Sequence, residues 1–292
     1  MEQPSISLSR EKLSNFEEAI QKEWIITNGL GGYASSTVLG VNTRKYHGLL
    51  VAAFHPPRDR LVCLAKLDEE ISVGKDVYPL GANEFQNEIF PKGYLFLKEF
   101  SLSPFPTYTY TAQGVEIQKT VFMLHEKNVV ITLYDVSNKN GVDVKIRGFP
   151  LIACRHYHSV TDRWKMPWEF VQKREDRGVE IGFGVPQSVL IMTVTSGKYF
   201  ATGKWIEGVY FREEALRGES FLDDYYQPGC FEIDVKANAS EKFAIMVIAD
   251  ESEDYARRVL AKMPVTMYDV EALYERALER REKLLTKFYE KH

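Results

Sequence analysis

From Trp24 to Ala249 the apolar positions fall in short bursts separated by Gly, Pro, Asn and Asp, the texture of strands and turns. The stretches 47–54 (HGLLVAAF), 60–66 (RLVCLAK), 115–122 (VEIQKTVF), 129–136 (VVITLYDV), 188–195 (SVLIMTVT) and 242–249 (KFAIMVIA) each predict a strand. In one of them Val115, Ile117, Lys119 and Val121 share a face, and Glu116, Gln118, Thr120 and Phe122 share the other, because side chains alternate along an extended chain. Val73-Gly74-Lys75-Asp76 and Asn138-Lys139-Asn140-Gly141 predict hairpin turns. Residues 11–22, with Leu13, Phe16 and Ile20 on one side, predict a short N-terminal helix. After Asp250 the period changes, and 251–263 and 267–291 predict helices with a break at Pro264. In the second helix Val270, Leu273, Ala277, Leu284 and Phe288 form a stripe that Arg281 interrupts. The chain ends in Tyr289-Glu290-Lys291-His292 with no closing core element. The stripe therefore needs a partner surface, either this chain's own sheet or a neighbour. There is no internal repeat. The pattern predicts one mainly β domain over 1–250, followed by C-terminal helices over 251–292.

Composition narrows the function classes. The chain has 292 residues, 45% hydrophobic and 27% charged, which is ordinary for a folded protein of this length. Its formal charge of -4 supplies no basic stripe for nucleic acid. Three scattered cysteines, Cys63, Cys154 and Cys230, argue against a disulfide framework and for a reducing, cytoplasmic setting. Met1 to Arg10 lack an apolar leader segment, and no apolar run approaches the ~20 residues that span a bilayer. Aromatic residues are abundant, with 16 Tyr, 17 Phe and 4 Trp. Flat rings form cores, and they also cover the apolar face of a sugar ring while polar neighbours take its hydroxyls.

Four segments concentrate candidate chemistry. Asn28-Gly29-Leu30-Gly31-Gly32 is a compact turn, but it lacks the Gly-Lys-Ser/Thr ending of a phosphate loop, and a strand, not a helix, is predicted after it. Gly40–Leu50 sets Asn42, Thr43, Arg44, Tyr46 and His47 just before an apolar strand. These side chains either bind hydroxyls or tie down the turn. Cys154–Phe170 holds His156 and His158 two apart, on one face if extended. With His47 they lack a further ligand at confirming spacing, so no metal is assigned. As a proton-transfer pair they would need a glutamate, as in a sugar mutarotase. Trp164, Met166, Pro167 and Trp168 follow in a loop, as a lid or a stacking platform. In Trp205–Gly229 the carboxylates Glu207, Glu213, Glu214, Glu219, Asp223 and Asp224 are interleaved with Arg212 and Arg217. Salt bridges within a surface loop account for them, and no catalytic residue is assigned.

Together these segments resemble the N-terminal domain of the archaeal and bacterial type of glycogen-debranching enzyme, the amylo-α-1,6-glucosidase family. The stretches that carry the resemblance are EWIITNGLGGYASSTVLG (23–40), NTRKYHGLLVAA (42–53), PPRDRLVCLAKLDE (56–69), the Pro91-x-Gly93-Tyr94 step, LKEFSLSPFPTYTY (97–110), PLIACRHYH (150–158) and REEALRGESFLDDYYQPGCF (212–231). His156 departs from the family string, where an acidic residue is expected. The resemblance implies a two-sheet β supersandwich that precedes an (α/α)6 barrel carrying the general acid and base, with the helix at 267–291 leading toward it. It also implies α-glucan as ligand (glycogen, limit dextrin or maltooligosaccharide), a catalytic domain in cis or as a separate chain, and no cofactor. The residues expected to meet glucan or the catalytic domain are Asn28, Tyr33, Asn42, Arg44, Tyr46, His47, Arg155, His158, Trp164 and Trp168. Two other readings fit the same residues: a mutarotase-like epimerase on a sandwich, and a stand-alone carbohydrate-binding or scaffold module.

Overall fold

A computed structural model describes residues 5–165, 168–263 and 266–290, with the side chains of 285–290 left aside. The sequence features at Met1–Pro4, Met166, Pro167, Pro264, Lys291 and His292, and the side chains of Phe288 and Tyr289, lie outside the described residues. The first strands are β1 (Ile6–Ser9), β2 (Glu23–Thr27), β3 (Tyr33–Thr37), β4 (Gly48–His55), β5 (Arg58–Val73), β6 (Asp76–Pro79), β7 (Ala82–Glu84), β8 (Ile89–Lys92) and β9 (Leu97–Leu102). They are followed by β10 (Pro106–Ala112), β11 (Val115–Met123), β12 (Val129–Asn138), β13 (Val144–His156), β14 (Phe170–Glu175) and β15 (Gly178–Phe183). The last are β16 (Ser188–Val194), β17 (Lys198–Tyr210), β18 (Leu222–Val235) and β19 (Ser240–Asp250). The helices are α1 (Arg10–Ser14), α2 (Phe16–Ala19), α3 (Arg212–Arg217), α4 (Glu253–Leu260) and α5 (Met267–Glu290).

The strands form a nine-stranded sheet, β1-β9-β10-β11-β12-β19-β16-β15-β14, and an eight-stranded sheet, β17-β18-β13-β5-β4-β3-β2 with β6 on β5. The small β7–β8 hairpin stands apart from both. Every pairing is antiparallel. The fold is the expected mainly β two-sheet sandwich. One apolar core fills the space between the large sheets, drawing on Leu50, Leu64, Ile152 and Phe231 from one and Phe100, Val121, Tyr134 and Phe243 from the other. A smaller cluster of Val51, Val62, Ala65, Leu151, Ala153 and Tyr225 lies apart from it. Residues 50–52 on β4 alternate between the two clusters, which puts the smaller one on the eight-stranded sheet's outer face. Central strand β19 is buried on both sides and reads as the unbroken apolar run Phe243–Ala249.

The inner face also carries charge. Lys119 of β11 meets Glu69 of β5 at 2.7 Å across the gap between the sheets. The Tyr134 hydroxyl donates to the same carboxylate at 2.6 Å, and Lys119 Nζ donates to the Leu67 carbonyl at 2.6 Å. A buried charge is tolerated only when paired and hydrogen-bonded, and this network meets that condition. Lys119 thus shares a face with Val115, Ile117 and Val121 without breaking the core.

Several expectations change. The helix over 11–22 is two short ones, α1 and α2, with Asn15 outside helical geometry between them (φ -77°, ψ 85°). Asn favours such local breaks because its side chain competes with helical backbone hydrogen bonds. Asn138–Gly141 is not a hairpin: β12 belongs to the nine-stranded sheet and β13 to the other, so the chain crosses between sheets there. The Asn138 side chain holds the crossing by donating to the Val142 and Lys236 carbonyls. The turn at Val73–Asp76 does close the β5–β6 hairpin. The first half of α5 packs on this chain's own nine-stranded sheet, with Tyr274 against Phe105 and Phe122 at 5.6 and 5.4 Å. Leu284, farther along the stripe, is exposed. All three cysteines are free and buried. Among the described residues no helix is long and apolar enough to cross a membrane.

Candidate functional site

The four segments converge at one end of the eight-stranded sheet. The β2–β3 turn is a hairpin connection in which Gly29 (φ +84°) and Gly31 (φ +98°) adopt left-handed backbone that a side chain would strain. Asn28 is buried beneath it. Its Oδ1 accepts from the Leu30 N–H at 2.9 Å, and its Nδ2 donates to the Lys127 carbonyl and to Asn128 Oδ1, both at 3.0 Å. The Gly31 carbonyl, on the other side, accepts from Arg60 Nε at 2.6 Å.

The second segment is tied down in the same manner. Asn42 accepts from Ser36 Oγ at 2.9 Å and donates to the Ala65 carbonyl at 3.1 Å. His47 is buried, and its Nδ1 accepts from the Thr43 N–H at 3.2 Å, which places a proton on Nε2, 3.5 Å from Glu23. Arg44 Nε donates to the same Glu23 oxygen at 2.6 Å and approaches Glu213 at 3.5 Å. Burial pushes the Glu23 carboxyl up, but His47 and then Arg44 outweigh it and hold it at about 2. The polar atoms of Asn28, Asn42 and His47 are thus spent on protein partners, and what these residues do is place their neighbours. Tyr33 donates to the Tyr46 carbonyl at 2.8 Å, which fixes Tyr46 on the outer surface.

The third segment arrives through Arg155, which is buried and pairs with buried Asp223 at 2.7 Å. Arg155 Nη2 also donates to the Lys45 carbonyl at 2.9 Å, and Asp223 Oδ1 accepts from the Thr161 N–H at 2.6 Å. Burial raises the Asp223 carboxyl more than Arg155 lowers it. One ion pair therefore joins the 42–47 turn, the end of β13 and the loop after it. Asp224 adds a second anchor, accepting from the Arg163 and Gly208 N–H groups, each at 2.9 Å.

Above these anchors lies a cluster of rings. Tyr46 and Tyr157 are 5.7 Å apart edge to face, Tyr157 and His158 are 4.0 Å apart, and Tyr46 Oη shares a hydrogen bond with His158 Nδ1 at 3.2 Å. Arg60 lies over the Tyr157 ring at 5.6 Å and Lys45 over Tyr46 at 5.4 Å. Lys45 is itself ion-paired with Glu219. On the loop after β13, Trp164 is 76% exposed, covered on one face by Arg163 at 4.2 Å, with its Nε1 donating to Glu207 at 3.0 Å. Rings with polar rims of this kind can take the apolar face of a ligand and its hydroxyls together.

Two expectations fail. The tryptophans are not a pair: Trp168 packs against Trp205 at 5.0 Å and Phe183 at 5.4 Å in a separate aromatic cluster, and only Trp164 faces outward. The carboxylates of 205–229 are not charges on a surface loop. The segment is the end of β17, then α3, then β18, and Glu214 and Asp223 are fully buried. Glu214 Oε2 accepts from the Lys45 N–H at 2.9 Å, while its Oε1 meets only the Arg217 guanidinium, at 4.0 Å, and Thr161 Oγ1 is buried without a hydrogen bond among the described residues. Burial raises the Glu214 carboxyl. Arg212 leaves the segment altogether, to pair with Glu84 and Glu17. Sequence reasoning passed over Arg60, Tyr157 and Arg163, although Tyr157 stands between the two histidines it did single out. His156 and His158 are exposed, and neither histidine hydrogen-bonds a carboxylate among the described residues: the His158 partner is Tyr46, and His156 Nδ1 accepts from the His158 N–H. Among the described residues no three of His, Cys, Asp and Glu gather as a metal site would require.

The family model described as "Glycogen debranching enzyme N terminal" matches residues 22–241. No curated protein matches the sequence. Among solved structures, a putative kojibiose phosphorylase from the human microbiome is similar at 10% identity and a TM-score of 0.38, covering 91% of this chain and 31% of that one. A bacterial glucoamylase complexed with acarbose is similar at 10% identity and a TM-score of 0.42, covering 92% and 35%. A putative aldose 1-epimerase from Escherichia coli K12 is similar at 10% identity and a TM-score of 0.42, covering 78% and 99%. The chain spans about a third of the length of the first two.

Proposed function

The chain belongs to the glycogen debranching enzyme N-terminal family, and from that premise we propose that it is a non-catalytic, carbohydrate-handling domain that holds branched α-glucan for an (α/α)6 catalytic barrel. The barrel, in cis or as a separate chain, supplies the carboxylate pair that hydrolyses the α-1,6 linkage. The helices over 251–292 lead toward it. The domain works in the cytoplasm, in keeping with its three free, buried thiols.

One observation carries this reading. The Tyr46–Tyr157–His158 rings are clustered on the 42–47 turn and the end of β13, which the buried Arg155–Asp223 pair ties to the loop that goes on to exposed Trp164. Burying an ion pair is expensive, and a fold bears such a cost where it holds a surface in place. The epimerase reading would need a histidine aimed at a buried carboxylate. His156 and His158, the pair that reading relies on, are exposed and bonded to Tyr46 and to backbone.

Native electrophoresis through gels with and without glycogen tests the proposal. The purified chain is expected to be retarded by glycogen, maltooligosaccharides to compete the retardation away, and Trp164→Ala to reduce it. An unretarded chain would reassign the ring surface to contact with the catalytic domain. Retardation that a separately expressed barrel does not strengthen would favour a stand-alone binding module.

A further inference from the structure

The outer face of the eight-stranded sheet carries a second feature. A cleft of about 320 Å³ opens where β5, β13, β17 and β18 meet the β7–β8 hairpin. Small-molecule pockets run from ~300 Å³ upward, so this cleft has the size for a short saccharide. Along β5 Glu69 turns inward to Lys119, while Asp68 and Glu70 are partly exposed on the cleft side. Arg60 of the ring cluster lies on the same strand, roughly 25 Å from Asp68 at ~3.3 Å per residue. The cleft thus extends away from the Arg60 edge of the ring cluster, and its Ile206 adjoins Glu207, the partner of Trp164.

The chemistry of the cleft selects its ligand. Asp68 is neutralised by Lys66 at 2.9 Å and held by Asn83 Nδ2 at 2.7 Å. Glu70 gives Oε1 to Arg147 at 2.9 Å, and among the described residues nothing donates to its Oε2. Across the cleft Lys204 is exposed and has no ion-pair partner among the described residues, and Gln227 spends its Nε2 on Thr202 at 3.1 Å. A cationic ligand would face Lys204, and an anionic one would face Glu70. A neutral polyol satisfies both, donating to the carboxylate and accepting from the ammonium. The remaining wall is largely apolar, with Leu151 and Ile206 beside the rings of Phe85, Phe149 and Phe90, the last 63% exposed at the rim. An exposed ring beside acceptors and donors matches a pyranose, which presents a C–H face and hydroxyl edges together.

We infer that this cleft binds a short neutral saccharide. The choice of an α-glucan end over another saccharide rests on the function proposed above. A glucan long enough to reach both the cleft and the ring cluster gains avidity over a short one.

Isothermal titration of the full chain with maltotriose is the test, with cellotriose and mannotriose as alternative probes and Val185→Ala, 82% exposed and outside the cleft lining, as the control variant. The wild type and the control are expected to bind maltotriose alike. Phe90→Ala and Lys204→Ala should each bind about tenfold more weakly with unchanged thermal melting, since both side chains are exposed. Equal binding by these variants and the wild type overturns the cleft while leaving the glucan function standing. Binding of cellotriose or mannotriose but not maltotriose, lost in the same variants, upholds the cleft and overturns the glucan function. No saccharide binding at millimolar concentration overturns the cleft.

Discussion

Arg155 and Asp223 form a salt bridge at 2.7 Å in which the side chains are 3% and 0% exposed, and each residue also fixes a different loop through the backbone. Removing one partner leaves the other charge buried and uncompensated, at a cost of about 3–5 kcal/mol. Asp223→Asn is therefore expected to lower the unfolding free energy, read from urea melts, by an amount in that range. Arg155→Met combined with Asp223→Leu should recover much of the loss, because no lone charge remains. A single-variant loss below about 1 kcal/mol would contradict the pairing.

The surface above that pair should behave differently. Trp164→Ala removes an exposed ring and is expected to change stability by no more than about 0.5 kcal/mol while weakening retardation in glycogen gels. Tyr46→Phe deletes only the hydroxyl bonded to His158, a loss of about 0.5–1.5 kcal/mol at most. Melting curves recorded beside the gels separate a binding role from a folding one.

Glu23 predicts a pH dependence. Its carboxyl is held at about 2 in the folded chain, against an ordinary 4.5. A carboxyl depressed on folding binds fewer protons in the native state, so its contribution is present above about pH 4.5 and is lost as the pH falls toward 2. Glu23→Gln removes that contribution. The stability difference between wild type and variant should be constant above about pH 5 and shrink steadily toward about pH 2, as followed by urea midpoints across that range. A difference that stays level throughout would mean that Glu23 is not paired with Arg44 and His47.

Two glycines separate backbone approach from mere turn composition. A Cβ at Gly229 would collide with the Phe200 carbonyl and the Tyr199 side chain across the β17–β18 pairing. A Cβ at Gly141 would meet nothing within 4 Å. Gly229→Ala is expected to destabilise by about 1–3 kcal/mol or more, and Gly141→Ala to stay within about 0.5 kcal/mol, both read from thermal melting.

The sequence by itself determined the local facts. Alternation in 115–122 and the apolar run 243–249 marked strands, the change of period after Asp250 marked helices, and NGLGGY followed by NTRKYHGLL marked the family. Each of these depends on neighbours a few residues apart, where periodicity and turn chemistry act. What only the tertiary structure decided depends on contacts between distant positions. Residues 138–141 look like a hairpin turn, and they cross between sheets because β12 pairs with β19, far along the chain, instead of with β13. Lys119 is tolerable on an inner face only because Glu69 stands opposite on the other sheet. Trp164 and Trp168 share one loop, yet they part because Trp205, from another strand, claims the second. The carboxylates of 205–229 divide into buried anchors, Asp223 on Arg155 and Glu214 on the Lys45 N–H, and a surface partner, Glu219 on the Lys45 ammonium. Burial and pairing are properties of the assembled sheets, and a one-dimensional pattern carries each residue's preference for a face but not the partner it finds there.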